Sequence, residues 1–341
     1  MITNSASIDF SKQAQAHYAT TPVIILGSGA SAAFGMPGMW DLSQHLIKHV
    51  DPSIVPPKDQ EEWRKFCGLL DEGVDLETAL HRVHLCEGLT NSVVKATWEL
   101  LNPSDINVFN KSLNDNGLFP LGTLLRSMFR STRKAVDVIT TNYDRLAEYA
   151  CEQEGLHHYT GFSHGYKRTL TDAEHLLSQR QVNIWKVHGS LDWYKSLEHV
   201  VCALPNLLEM PEGYEPMIVT PGAEKYRITH GEPFRTAITR SDRAIIGANS
   251  YLCIGFGFND QHIQEKLIEG CIQHKKPVTV ITYGLTEAAK EFLFNQGVIN
   301  YLAIERGEHD DQSVIHSSLA DKPLRVEQNL WSVAGYLGLI L

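Results

Sequence analysis

The sequence predicts an α/β fold: a Rossmann-like, mostly parallel sheet with an inserted helical module. Three observations carry this expectation. The apolar run Val23-Ile-Ile-Leu26 leads directly into Gly27-Ser-Gly-Ala-Ser31, the pattern of a buried strand that ends in a glycine-rich turn. Three further strand-like runs, at 135–140, 182–187 and 250–254, also end in glycine or polar residues. From the first turn to Ala135 apolar residues recur at helical spacing, and no β-branched run interrupts them.

Taken in order, Gly27 and Gly29 suit positive φ and close approach of backbone N–H groups to an anion. Gly27, Gly29 and Ala32 fit the G-x-G-x-x-G/A pattern, and Ser31 either opens or caps the helix that follows. No Lys-Ser/Thr pair follows the turn, which excludes a Walker-type ATPase. Residues 42–50 read as helix. Residues 59–70 place Trp63, Phe66, Cys67 and Leu70 on one helical face. Asp75 caps a helix that aligns Leu76, Leu80 and Val83, and 91–101 and 118–129 are two more helices. Strand 135–140 delivers Thr141-Asn-Tyr-Asp144, strand 182–187 delivers His188-Gly-Ser190, and strand 250–254 delivers Gly255-Phe-Gly-Phe-Asn-Asp260. The stretch 159–179 is loop and then helix. A final strand at 278–283 precedes a helix at 286–296. The expected boundaries are a sheet domain of residues 1–48 and 131–305, a helical module of 49–130, and a C-terminal segment of 306–341.

Composition narrows the function classes. The 341 residues allow two domains or one large α/β domain with an insertion, and 30 basic against 40 acidic residues give a net charge of −10. That balance argues against a nucleic-acid clamp, so the basic stretches 126–134 and 240–243 read as solvated faces. Residues 1–21 lack an apolar core, so no signal peptide is expected. Six scattered cysteines suit a reducing cytoplasm. His81, His84 and Cys86 do not share one helical face, and His157, His158 and His164 lack ligand spacing, so no metal is expected.

The set Gly27-Ser-Gly-Ala-Ser31, Thr140-Thr-Asn-Tyr-Asp144, Val187-His-Gly-Ser190 and Ile254-Gly-Phe-Gly257 resembles the Sir2 (sirtuin) superfamily over about residues 20–290. Within it the chain looks like the bacterial Sir2-like NAD-hydrolysing effectors of antiphage defence. It departs from the protein deacylases at three places. No paired Cys-x-x-Cys zinc module is present, Pro37-Gly-Met-Trp40 follows the glycine turn, and Ile218-Val-Thr-Pro-Gly222 stands where the deacylases carry a peptide-binding strand. The resemblance implies NAD as substrate, homo-oligomeric assembly and, in some members, a separately encoded HerA-type ATPase partner. The apolar C-terminal stretch Trp331–Leu341 either contributes an oligomer contact or packs on the chain's own sheet.

Cleaving the nicotinamide–ribose bond requires ribose positioning, a shielded site and an activated hydroxyl. Asn142 positions ribose or water through its amide, and His188 serves as general base; these are the expected catalytic residues. Asp144 binds a ribose hydroxyl or orients Asn142, with capping of the next helix as the alternative. Ser28, Gly29 and Ala30 direct N–H groups to the pyrophosphate, and Ser31 adds a hydroxyl. Gly255, Phe256 and Gly257 form a second close-approach loop. Asp260 is either a second ribose ligand or a helix cap, and Tyr283 either stacks on adenine or belongs to the core. A protein deacylase and a non-catalytic NAD or ADP-ribose sensor are the alternative functions.

Overall fold

The computed structural model describes residues 9–129, 134–171, 180–220 and 231–341. Strand β1 (Val23–Leu26) is apolar at all four positions and buried at all four, because it lies in the middle of a nine-stranded sheet. It pairs in parallel with β2 (Ala135–Thr140) on one side and with β9 (Tyr251–Ile254) on the other. Beyond β2 lie β5 (Gln181–Lys186) and β3 (His157–Tyr159); beyond β9 lie β10 (Val278–Thr282) and β11 (Tyr301–Arg306), all parallel. The chain therefore winds outward in both directions from β1, and the carboxyl ends of β1, β2, β5 and β9 frame the crevice where such sheets bind ligands.

Both faces of this sheet are covered, which is why its strands read as continuous apolar runs. The period-2 alternation of strand side chains divides them between two cores. Ile25, Ile139, Trp185, Cys253 and Val280 face one layer with Ile245 and Leu267. Ile24, Leu26, Val138, Ile184 and Leu252 face the other with Leu124, Leu125 and Ala147. Helix α1 (Phe10–Ala19), capped by the Asp9 side chain, precedes β1, and the short α2 (Ser28–Ala32) follows it.

Four helices between β1 and β2 pack around a core of their own. They are α3 (Met39–His49), α4 (Pro57–Asp71), α5 (Leu76–His81) and α6 (Glu87–Ser112), around Leu42, Leu46, Trp63, Phe66, Leu80 and Val93. Asp75 caps α5 through the Thr78 N–H. One boundary differs: the helix expected at 91–101 runs on through Pro103 to Ser112. An internal proline costs a helix roughly 3 kcal/mol. Here the last turns bury Asp105, Ile106 and Val108, and Asp105 anchors Arg145. Helices α7 (Pro120–Met128) and α8 (Leu146–Gln153) flank β2. The helical half of the 159–179 reading and the end of the 218–222 motif lie outside the described residues, as does most of 130–134.

Two parts of the architecture differ from expectation. First, β6 (Gly189–Ser196) turns away from the main sheet and builds a second, antiparallel sheet with β7 (Val201–Ala203), β8 (Tyr214–Ile218) and the two-residue β4 (Arg168–Thr169). Gly189 makes that turn at φ +89°, and a Cβ there would lie 2.1 Å from the Met217 carbonyl oxygen. Second, the strand at 278–282 is not the last. After β11, strands β12 (Ser313–Ser317) and β13 (Leu324–Val326) extend the main sheet in antiparallel fashion. The helix Val333–Ile340 then places Tyr336 in the same core as Leu124 and Phe129. The C-terminal segment is thus continuous with the sheet, and its apolar character is explained by packing on the chain itself. Among the described residues no helix is long and apolar enough to cross a membrane.

Candidate active site

The glycine turn after β1 is locked to the loop after β9. The Gly27 N–H donates to the Ile254 carbonyl at 3.1 Å and the Gly29 N–H to the Gly255 carbonyl at 3.0 Å. A Cβ on Gly27 would lie 2.5 Å from the Gly255 oxygen, and one on Gly255 only 2.2 Å from the Ala30 nitrogen. Gly255 also sits at φ +55°, so its lack of a side chain is required twice over. This corrects the phosphate-cradle expectation at two positions. The Gly29 N–H is taken by Gly255, and the Ala30 N–H is taken by the Gly27 carbonyl at 3.0 Å. Gly29, Ala30 and Gly255 therefore build the floor, while Gly27, Ser28, Ser31, Phe256 and Gly257 line the cleft above it.

Asn142, two residues past β2, reaches across to this turn. Its amide Nδ2 donates to the Gly27 carbonyl at 2.8 Å and to Ser31 Oγ at 3.0 Å. Ser31 in turn donates to Asp144 Oδ2 at 2.7 Å. It lies inside α2, which begins at Ser28, so neither opening nor capping that helix is its role. The Asp144 carboxylate also accepts from the Leu146 N–H at 3.2 Å, which supports the first turn of α8. Burial raises the Asp144 carboxyl to about 6, although nearby Lys186 and the Ser31 hydroxyl pull it down. Lys186, fully buried at the end of β5, donates to the Asp144 main-chain carbonyl and to Glu148 Oε1 at 2.9 Å.

His188 stands at the turn between the two sheets, held by the Val219 N–H on its carbonyl at 2.9 Å. Its Nε2 lies 2.9 Å from Asp260 Oδ2, with both side chains largely buried. The other Asp260 oxygen accepts the Ile263 N–H at 3.0 Å and caps the helix Gln261–Ile268. Asp260 therefore fills the cap role, one of its two expected roles, and adds a contact to His188 that was not expected. The helix N-terminus favours its ionised form. An imidazole that donates Nε2–H to Asp260 carries its acceptor lone pair on Nδ1, the arrangement of an oriented general base.

These groups converge on one open cleft of about 1010 Å³, including its mouth. The sheet side presents Ser31, Asn142, Asp144, His188, Phe256 and Asp260; the loop before α3 closes the other side with Met36 and Pro37, together with Leu42, Glu77 and Leu101 of the helical module. Glu77 and Asn259 were not anticipated. Glu77 occupies the first turn of α5, and helical periodicity marks it only as lying off the apolar face. Tyr283 is not among the lining residues. It is 64% exposed, lies under the Arg306 guanidinium at 5.0 Å and meets Trp331 edge-on, so neither adenine stacking nor a core position describes it. Among the described residues no group of three or more His, Cys, Asp or Glu side chains is placed to hold a metal.

Similar solved structures include a Sir2 enzyme described for its mechanism and regulation, at 16% identity over 82% of this chain and 88% of that one, with a TM-score of 0.43. A Sir2 protein bound to a propionylated peptide matches at 13% identity, over 82% and 86%, with a TM-score of 0.41. A Sir2 homologue in complex with NAD matches at 13% identity, over 82% of each chain, with a TM-score of 0.39. No curated protein matches the chain. The family model described as a SIR2-like domain matches residues 136–296, the span that holds Asn142, Asp144, His188 and Asp260.

Proposed function

We propose that the chain is an NAD+ glycohydrolase that cleaves NAD+ to nicotinamide and ADP-ribose. The observation that carries this reading is the meeting of Asn142, Asp144 and the His188–Asp260 pair in one cleft at the strand-order switch. The C1′–N bond breaks as positive charge develops on the ribose, and neutral nicotinamide leaves with the bonding electrons. Water attacks C1′, and His188 Nδ1 takes its proton, with Asp260 balancing the imidazolium. Asn142 fixes the turn beside the ribose, and the Asp144 and Glu77 carboxylates stabilise the developing cation. The walls supplied by Met36, Pro37 and Leu42 limit competing solvent.

A second reading, an NAD-dependent protein deacylase, is favoured by one feature. A cavity of about 1870 Å³, mouth included, adjoins the cleft and shares His188, Asp260, Glu77 and Asn259 with it, which gives room for an acceptor larger than water. Incubation with NAD+ alone and with an acetyl-lysine peptide separates the two. Nicotinamide release without peptide supports the hydrolase, and release only with peptide contradicts it. If neither releases nicotinamide but NAD+ binds, the sensing module is the better description.

The resemblance to bacterial defence effectors extends the proposal to NAD depletion during antiphage defence, with activity gated by homo-oligomerisation or by a HerA-type ATPase. Light scattering of the purified chain tests the gate. A fully active monomer at micromolar concentration contradicts it.

A further inference from the structure

Behind the β2–α8 turn lies a third cavity, of about 950 Å³, mouth included, that the NAD chemistry does not use. Its mouth carries the exposed His164 and Gly165, and its floor carries Glu148 and Asp192, which are 6% and 4% exposed. The positive charges around it are already engaged. Arg145 holds Asp105 through two nitrogens at 2.8 and 2.5 Å and Asn102 at 3.2 Å. Arg168 holds Asp192 Oδ2 and the Leu204 carbonyl, each at 2.6 Å. Lys186 holds Glu148 Oε1 and the Asp144 carbonyl. What remains unmet is acceptor capacity: Glu148 Oε2 and Asp192 Oδ1 are buried without a hydrogen-bond partner. Natural structures rarely leave such atoms orphaned unless a ligand or water completes them.

We propose that this cavity binds a small organic molecule through a primary ammonium group seated between Glu148 Oε2 and Asp192 Oδ1. An ammonium offers three donors and one positive charge, which matches two carboxylate oxygens that each lack a partner. Burial pushes the Glu148 carboxyl above its ordinary range, against the pull of Lys186 and with the Asp192 charge adding to it, and a bound cation at Oε2 relieves the remaining cost. A bare divalent ion fits less well. No group of three metal-donor side chains is assembled among the described residues, and two guanidinium groups stand in the walls. Site and cleft touch through Lys186, which bridges Glu148 to the main chain of Asp144. Occupancy therefore bears on the carboxylate that faces the cleft.

The test needs no NAD+ and so stands apart from the functional reading. Ethanolamine, methylammonium and 1,4-diaminobutane are titrated into the whole protein by calorimetry, with tetramethylammonium and magnesium chloride as controls at matched ionic strength. At least one amine is expected to bind saturably below about 10 mM, and Glu148→Gln weakens it about tenfold or more. His164→Trp, which leaves the buried ion pairs intact and obstructs the mouth, is expected to weaken it as well. Absence of saturable binding by all three amines overturns the proposal. So does an equal response to tetramethylammonium, tighter binding of magnesium, or binding that both variants leave unchanged.

Discussion

Asp260 presents one oxygen to a helix N-terminus and the other to His188, so the histidine is held by a residue 72 positions away in sequence. Replacing Asp260 by Asn keeps the cap acceptor and removes the charge. NAD+ cleavage by Asp260→Asn is expected to fall about 10- to 100-fold, with circular dichroism and NAD+ binding little changed. Unchanged turnover assigns Asp260 to the cap alone. Asp144 gives a prediction in pH. Its folded-state carboxyl titrates near 6, above the ordinary 3.8, so the folded protein holds this proton more tightly than the unfolded chain. The resulting stability is present below about pH 4 and is lost as pH rises through about 6, with a cost on the order of 3 kcal/mol at neutral pH. The stability of Asp144→Asn relative to wild type is therefore expected to rise between about pH 4 and 6 and to level off above about pH 7 in urea titrations; a constant difference from about pH 4 to 7 contradicts the assignment. Asn142, His188 and Asp144 were legible in the sequence because each follows an apolar run that can only be a central strand. The His188–Asp260 pair was not, since the separation of β5 from β9 by β1 and β2 is a fact of strand order that no local pattern carries.

Among the elements, the glycine turn and the β9 loop act as one unit, and glycine content alone did not reveal it. The sequence shows two glycine-rich strand ends; in the structure Gly29 and Gly255 face each other, and the Gly29 N–H expected to meet phosphate donates to the Gly255 carbonyl. Three substitutions separate the roles. Gly27→Ala and Gly255→Ala place a Cβ against main-chain atoms at 2.5 and 2.2 Å and are expected to lower the melting temperature by several degrees and to abolish cleavage. At Gly257 the nearest atoms are side-chain atoms at 3.5 Å, so Gly257→Ala is expected to melt within about 2 °C of wild type. Equal destabilisation by all three contradicts the interlock. The second sheet escaped the sequence for a related reason. Leu191, Trp193 and Tyr194 are buried on both faces of β6, which erases the alternation that marks a half-exposed strand.

At the scale of the whole molecule, one cleft is made from two parts distant in sequence: strand ends supply the polar groups and the helical module supplies the lid-side wall. The C-terminal stretch shows how apolar composition misleads when read alone. Trp331–Leu341 has the character of an interface, yet Tyr336 and Ile340 are buried in the core shared with β1 and β2. Removing residues 329–341 is expected to destabilise the monomer, seen as lower soluble yield and a lower melting temperature, independently of any assembly. The central claim is that this cleft hydrolyses NAD+ with Asn142 and His188 as its working groups. Chromatography of NAD+ incubated with wild type, Asn142→Ala and His188→Ala tests it most directly. Equimolar nicotinamide and ADP-ribose from wild type, reduced at least about 10²-fold in both folded variants, is the expected result. Formation of NADH, or near-normal nicotinamide release by folded His188→Ala protein, contradicts it.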